Sequence, residues 1–128
     1  MNELKNIMHI EDDPSIQQVA KIALEAVGGF TVHSCSSGKQ ALTDFANVQP
    51  QLILLDVMMP GMDGPTTLQQ LKQQFDLSAI PIVFMTAKVQ SSEIASYKAL
   101  GAVEVVVKPF DPMTLSSQLE QIWHDFHQ

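Results

Sequence analysis

Residues 51–64 read QLILLDVMMPGMDG, in which four consecutive aliphatic residues lead directly into Asp56. An apolar run without polar alternation is typical of a strand that is covered on both faces, as in a parallel sheet. Pro60, Gly61 and Gly64 prevent either a strand or a helix from continuing beyond this point. We therefore expect Asp56 at the carboxyl edge of a sheet, where open α/β folds build their binding sites.

Length, composition and charge limit what this chain can be. Its 128 residues, 45% of them hydrophobic, suit one compact domain, which we expect to cover residues 1–128. Residues 1–6 lack the features of a signal peptide, and no apolar run approaches membrane-spanning length, so we expect a cytoplasmic protein with no membrane partner. Acidic side chains outnumber basic ones 14 to 7, and the net charge of -7 argues against direct binding of nucleic acid.

The cysteine and the histidines give little sign of chemistry when each is considered alone. The chain has a single cysteine, Cys35, which cannot form an internal disulfide, and we interpret it as a small core or near-surface residue and not as a reactive thiol. The four histidines lie in strand patterns or near the chain end: His9, His33, His124 and His127. We expect them to have packing or surface roles and not to be metal ligands.

Strand and helix patterns alternate along the whole chain. Apolar runs predict five strands, at residues 7–10, 30–35, 52–56, 82–86 and 103–107. Apolar residues recur at helical spacing after each of these runs. Five strands that alternate with five helices over short connections require a parallel sheet with right-handed crossovers and helices on both faces. The predicted fold class is therefore α/β, with a doubly wound five-stranded sheet.

Several residues have the character of helix starts. Asp13 before Pro14 and Asp111 before Pro112 combine a capping carboxylate with a proline at the first helical position. Serine pairs precede two other helices as candidate caps, Ser36 or Ser37 and Ser91 or Ser92. Because Asp13 serves as a cap, the two acids before it remain available for chemistry.

Four of the five predicted strands end in a polar or charged side chain. These residues are Glu11 and Asp12, Asp56, Thr86, and Lys108. Because the carboxyl ends of parallel strands meet at one edge, three carboxylates, one hydroxyl and one ammonium should converge there. Crowded carboxylates repel each other unless a cation lies among them, and a partly hydrated all-oxygen cluster suits Mg²⁺ better than zinc.

This set of side chains fits phosphoryl chemistry. Lys108 supplies a point charge for one phosphate oxygen, and the Thr86 hydroxyl can donate a hydrogen bond to another. Asp56 is central in the row and is then a candidate nucleophile, which would form an aspartyl phosphate by in-line attack.

Four separated motifs carry a resemblance that covers essentially the whole chain. They are residues 10–13 (IEDD), 55–64 (LDVMMPGMDG), 85–87 (MTA) and 107–110 (VKPF). With these motifs the chain resembles the receiver domain of two-component response regulators, and it is close in size to the stand-alone chemotaxis type. The resemblance implies a flavodoxin-like sheet of strand order 2-1-3-4-5. It also implies phosphoryl transfer from a phosphohistidine on a sensor histidine kinase or a histidine phosphotransfer protein.

The resemblance assigns a role to each acid. Asp56 corresponds to the phosphoacceptor and Asp12 to a direct Mg²⁺ ligand, while Glu11 corresponds to an acid that acts through a bound water. The backbone carbonyl of Met58 would complete the protein ligands of the metal.

The remaining site residues also have counterparts, with one departure. Thr86 corresponds to the switch hydroxyl, Lys108 to the phosphate partner, and the bond from Lys108 to Pro109 is expected to be cis.

The family usually has Tyr or Phe three residues before this lysine, where the present chain has Val105. The resemblance implies readout by a downstream protein through the fourth helix, fifth strand and fifth helix, but Val105 requires a different output mechanism. Tyr97 is a candidate for that partner surface or simply part of an amphipathic helix.

Two other functions compete with the phosphoacceptor. A receiver-like scaffold that binds partners without phosphorylation would be favoured if one of the acids, Thr86 or Lys108 were missing, and none is. A true aspartyl-phosphate phosphohydrolase typically needs a second aspartate two residues after the nucleophile, where this chain has Met58.

Overall fold

The computed structural model describes residues 3–128 as an alternation of strands and helices. The strands are β1 (Asn6–Ile10), β2 (Thr31–Cys35), β3 (Leu52–Asp56), β4 (Ile82–Thr86) and β5 (Glu104–Val107). The α-helices are α1 (Pro14–Ile22), α2 (Gly38–Val48), α3 (Gly64–Gln74), α4 (Ser91–Ala99) and α5 (Leu115–Phe126). All strand pairs are parallel, in the order β2-β1-β3-β4-β5. This confirms the predicted doubly wound, flavodoxin-like α/β fold.

Two hydrophobic clusters lie on opposite faces of the sheet. One joins alternate strand residues such as Ile53 and Leu55 to buried residues of α2, α3 and α4. The other joins the intervening residues, such as Leu52 and Leu54, to α1 and α5. All five residues of β3 are buried, as expected for a central strand covered on both faces. No helix within residues 3–128 combines the length and the apolar character needed to cross a membrane.

The first helix ends less regularly than its sequence pattern predicts. A π-helical segment, Ala23–Val27, continues α1 and ends at Gly28. Gly29 then adopts a positive φ of 74°, which a glycine reaches without steric cost and which reverses the chain toward β2. The helical segment therefore stops at the pair Gly28 and Gly29.

The predicted helix caps are correct for α1 and α2 but wrong for α4. The Asp13 carboxylate accepts hydrogen bonds from two backbone N–H groups of the first turn of α1, and the Ser37 hydroxyl accepts one from Gln40. Neither serine at the start of α4 is the cap, because Gln90 is still extended and the helix begins at Ser91. There the backbone N–H of Gln90 donates to the carboxylate of Glu93, 3.3 Å away.

The start of α5 was also predicted too early. The Asp111 carboxylate accepts a hydrogen bond from the backbone N–H of Met113 at 2.8 Å, and its backbone carbonyl accepts from Thr114 and Leu115. The aspartate thus closes a separate turn, and the regular helix begins only at Leu115.

His9 is an unusual member of the core. It is fully buried in β1, and neither ring nitrogen has a hydrogen-bond partner within residues 3–128. Burial lowers the pKa of His9 from its ordinary 6.5 to about 4, and the positive charge of Lys108 acts in the same direction. The side chain is therefore neutral at physiological pH and packs in the core, as the sequence predicts.

We predict that His9 makes the fold sensitive to acid. The folded state disfavours the imidazolium, so protonation of His9 favours the unfolded state. The native chain therefore has its full stability above pH 6.5 and loses stability as the pH falls toward the folded pKa of about 4. His9→Leu should therefore gain stability relative to the native chain, by up to about 3 kcal/mol, as the pH is lowered through this range. Urea unfolding of both chains across the range measures the difference, with exposed His124→Leu as the control. A difference that stays constant with pH would contradict the prediction.

Candidate functional site

Neighbouring strands deliver the predicted site residues to one edge of the sheet. Glu11 directly follows β1, Asp56 ends β3, and Thr86 ends β4. Lys108 directly follows β5, and its backbone N–H donates to the carbonyl of Thr86 at 2.9 Å. Since these four strands are adjacent in the sheet, their carboxyl ends form one continuous pocket wall.

Three carboxylates share this pocket. One oxygen from each of Glu11, Asp12 and Asp56 lies within 4.8 Å of the other two. Glu11 is only 1% exposed and Asp56 only 3%, whereas Asp12 is partly exposed. Acids this close and this well buried favour a bound cation, because water cannot screen their mutual repulsion.

The Lys108 ammonium brings a positive charge into this pocket. Its Nζ lies 2.7 Å from Glu11 Oε1 and 2.8 Å from Asp56 Oδ1. Burial alone would lower the pKa of Lys108, but the hydrogen bonds to Asp56 and Glu11 outweigh it, and the pKa is raised. Lys108 is therefore held as a cation that joins the end of β5 to the ends of β1 and β3.

One ammonium does not fully compensate these acids. Burial raises the pKa of Glu11 to about 7, although hydrogen bonds from Lys108 and from the backbone N–H of Asp13 oppose the shift. The negative charge of Asp56 raises it further. Near neutral pH the pocket therefore competes for a further positive charge, either a proton on Glu11 or a metal ion.

The loop after β3 is packed directly against the strand end. Gly64 has no room for a side chain, because a Cβ would meet the backbone carbonyl of Asp56. Its backbone N–H donates to the carbonyl of Val57 at 2.8 Å, and the Asp63 carboxylate caps α3 through the N–H of Thr66. This cap is not among the predicted ones, although an aspartate before Gly-Pro is a usable signal.

Met58 projects from the same loop toward solvent. Its side chain is 62% exposed and borders a cavity of about 650 Å³ that Lys88 and Tyr97 also line. On the opposite side of the site, the Lys108–Pro109 bond is cis, as expected.

A hydrogen-bonded chain leads from Thr86 to α4. The backbone N–H of Lys88 donates to the Thr86 hydroxyl at 3.1 Å, and the Tyr97 hydroxyl donates to the Lys88 carbonyl at 3.3 Å. The Tyr97 ring is only 8% exposed and packs edge-on against Phe84, with ring centroids 5.5 Å apart. The suggestion that Tyr97 belongs to a partner surface is therefore wrong, because the ring is buried beneath α4.

Val105 lies beside this aromatic pair. It is the register partner of Phe84 in the neighbouring strand and is half-buried against the core of the α4 face. The sequence analysis identified the missing aromatic at this position but did not predict that Tyr97 supplies a ring from α4. The available signal was a single aromatic residue, Tyr97, three positions after Ile94 in that helix.

Comparison with known proteins gives a consistent identification. A family model described as the response regulator receiver domain matches residues 7–120. The probable transcriptional regulator ycf27 of Cyanophora paradoxa is 35% identical over 118 residues, covering 92% of this chain and 48% of that protein. MtrA of Mycolicibacterium smegmatis, named a DNA-binding response regulator, is 35% identical over 115 residues, covering 90% of this chain and 49% of that protein. The chain thus spans about half the length of the curated relatives it matches.

Solved structures agree with this result. The chemotaxis response regulator CheY4 of Vibrio cholerae superposes with a TM-score of 0.85 at 28% identity, covering 93% of this chain and 98% of that one. A CheY-like receiver domain protein from Methanospirillum hungatei gives a TM-score of 0.80 at 25% identity, covering 96% and 97% of the two chains. The sequence match and the shared fold confirm the resemblance: the chain belongs to the response regulator receiver domain family.

Proposed function

We propose that residues 1–128 form a single phosphoacceptor domain in which Asp56 receives a phosphoryl group. The supporting observation is the contact of the Lys108 ammonium with both Asp56 and Glu11, at 2.8 and 2.7 Å, beside the third acid Asp12. We infer that the donor is a phosphohistidine on a sensor histidine kinase or a histidine phosphotransfer protein, and that the domain acts in the cytoplasm. Phosphorylation would change the affinity for a downstream protein.

The chemistry follows from the arrangement of these side chains. A carboxylate oxygen of Asp56 attacks the phosphorus in line, the phosphorus–nitrogen bond of the phosphohistidine breaks, and its electron pair returns to the imidazole. Lys108 is close enough to move from the carboxylate to a phosphoryl oxygen. The Thr86 hydroxyl accepts its bond from Lys88, so its own proton is available for a second phosphoryl oxygen.

The acidic pocket fits Mg²⁺. The three carboxylates supply only hard oxygen donors, and the partial exposure of Asp12 leaves access for water. Asp12, Asp56 and the Met58 backbone carbonyl would hold the ion, with Glu11 acting through water. When bound, Mg²⁺ would neutralise the acids and the incoming phosphoryl group.

The proposal excludes turnover of an external substrate other than the phosphodonor. A phosphohydrolase is disfavoured because Met58 cannot act as a general acid or base two residues after Asp56. A scaffold that binds partners without phosphorylation is disfavoured because the whole charged set lies in one pocket. We also propose that the domain binds no nucleic acid or membrane directly, since Lys and Arg total only 7 of 128 residues.

We predict that the chain is phosphorylated on Asp56 by a small phosphodonor such as acetyl phosphate in the presence of Mg²⁺. Without Mg²⁺, Glu11 and Asp12 repel the incoming anion, so the adduct should be nearly absent. Intact-mass measurement should detect one phosphoryl group, which Asp56→Asn abolishes and Asp12→Asn strongly reduces. Exposed Asp125→Asn is the matched control and should be phosphorylated like the native chain. An adduct that persists in Asp56→Asn would exclude Asp56 as the acceptor.

Output should pass from Thr86 to α4. We infer that a phosphoryl oxygen draws the Thr86 hydroxyl away from Lys88, which alters the loop of residues 87–90 and the hydrogen bond from Tyr97. The surface formed by α4, β5 and α5 would then be read by the downstream protein. Val105 has no ring to reorient, so the buried aromatic pair under α4 would take up the change.

We predict that beryllofluoride, which mimics the phosphoryl group, changes the backbone amide chemical shifts of α4 as well as those of the pocket. Tyr97→Phe keeps the ring but removes the hydroxyl, so the shifts in α4 should become smaller while those in the pocket remain. Ser96→Ala in the same helix is the control. If α4 does not respond in the native chain, or responds equally in Tyr97→Phe, this output route is wrong.

We predict slow autodephosphorylation. Met58 lies two residues after Asp56, and its thioether is a weak hydrogen-bond acceptor that cannot orient an attacking water well. Lys88 borders the same cavity and is a second side chain that would shield the phosphorus from an attacking water. Phosphate release after removal of the donor should be faster in Met58→Asn, with a smaller effect for Lys88→Ala. A native rate equal to or above that of Met58→Asn would contradict the shielding argument and leave the acceptor assignment intact.

A further inference from the structure

A second group of metal-ligating side chains lies between β2 and α2. His33 and Cys35 are alternate residues of β2 and face Asp44 on α2. One ligand atom of each residue lies within 4.8 Å of the other two, and His33 Nε2 is 2.9 Å from Asp44 Oδ2. These three donors are separate from the carboxylates of the phosphoacceptor pocket.

The chemistry of this group differs from that of the acidic pocket. It combines an imidazole, a thiol and a carboxylate, which are the donors that zinc prefers, whereas Mg²⁺ binds oxygen alone. In a tetrahedral zinc site the ligand atoms lie about 3.3–3.6 Å apart, given metal–ligand distances of about 2.0–2.3 Å. The distance between His33 Nε2 and Asp44 Oδ2 must therefore lengthen slightly from 2.9 Å. Any two ligand atoms that lie near the 4.8 Å limit must approach each other by about 1 Å.

The surroundings of the group suit a metal with one open position. The side chains of His33 and Asp44 are 41% and 26% exposed, so an ion can enter from solvent and keep a water ligand. The amide of Gln40 lies 3.4 Å from the Asp44 oxygen that contacts His33, which helps to orient the carboxylate. Cys35 is fully buried and provides the inner ligand.

We propose that His33, Cys35 and Asp44 bind one Zn²⁺ ion, with water in the fourth position. The Cys35 thiol would lose its proton to solvent on binding, and the ion would replace the direct His33–Asp44 contact. This site is independent of the proposed phosphoacceptor function. Cys35 is a buried core residue, as the sequence predicts, and the proposed metal role of His33 and Cys35 is additional to packing, because the third ligand becomes adjacent only in the folded chain.

The Cys35 side chain packs in the hydrophobic core, and its thiol is free. Burial raises the pKa of Cys35 to about 12, and the negative charge of Asp44 acts in the same direction, so without a metal the thiol is protonated and unreactive. The contact of His33 with Asp44 is partly exposed and by itself contributes little to stability. A bound zinc ion would instead link the edge strand β2 to α2 through both groups.

Cobalt provides a direct test of the site. Co²⁺ occupies zinc sites, and a cobalt–thiolate bond gives a charge-transfer absorption band in the near ultraviolet. Because Cys35 is the chain's single cysteine, such a band reports this site even when the acidic pocket also binds ions. The purified, reduced chain should be titrated with Co²⁺ in excess Mg²⁺ and then with Zn²⁺. We expect a band that saturates at one Co²⁺ per chain and disappears as Zn²⁺ displaces the cobalt.

Variants identify the other ligands. His33→Ala should weaken zinc binding by at least about tenfold, since even residues behind metal ligands cost 10–100-fold in affinity. Asp44→Asn should also weaken it, and Cys35→Ser should abolish the band. Exposed His124→Ala is the matched control and should bind like the native chain. Because His33 is partly exposed, its variant tests the site even if Cys35→Ser fails to fold. Absence of the band in the native chain, or an unchanged band in His33→Ala, would overturn the proposal.

Discussion

The contact of one lysine with two acids is the constraint on which this structure depends. Lys108 reaches Glu11 and Asp56 at 2.7 and 2.8 Å, in a pocket where both acids are almost fully buried. Buried charges are tolerated only when they are paired, so the ends of β1, β3 and β5 must keep their relative positions. The same need for positive charge makes the pocket suitable for a metal ion. The pocket also suits a phosphoryl group, to which Lys108 would transfer its contact.

The route away from the pocket uses the core itself. The Thr86 hydroxyl accepts a hydrogen bond from the backbone N–H of Lys88. The backbone carbonyl of Lys88 in turn accepts a hydrogen bond from the Tyr97 hydroxyl of α4. A ring at position 105 would report on the pocket from β5, whereas Tyr97 is attached to the helix that would move. These hydrogen bonds therefore connect the strand edge to α4 without an aromatic residue in β5.

The fold and the convergence of the site residues could be predicted from the sequence, because uniformly apolar strands in a parallel sheet fix which residues meet at its carboxyl edge. The cap at Asp13 was predictable because a carboxylate before a proline satisfies free backbone donors locally. The Ser91 or Ser92 cap was wrong because several polar residues compete at that helix start, and Asp111 closed a turn of its own. The two alternatives for Tyr97 could not be separated from the sequence, because its burial depends on packing against Phe84 from a different element.

The outer edge of the sheet has a consequence for association between chains. Among residues 3–128, β4 is the one strand that pairs with β5, so one side of the β5 backbone has no strand partner there. This strand is only four residues long, and it begins with Glu104, whose exposed carboxylate lies 3.8 Å from the Lys98 ammonium. Short, charged edge strands are poor templates for β-sheet extension and aggregation. The β5 edge of the sheet is therefore protected from strand-to-strand association with a second chain.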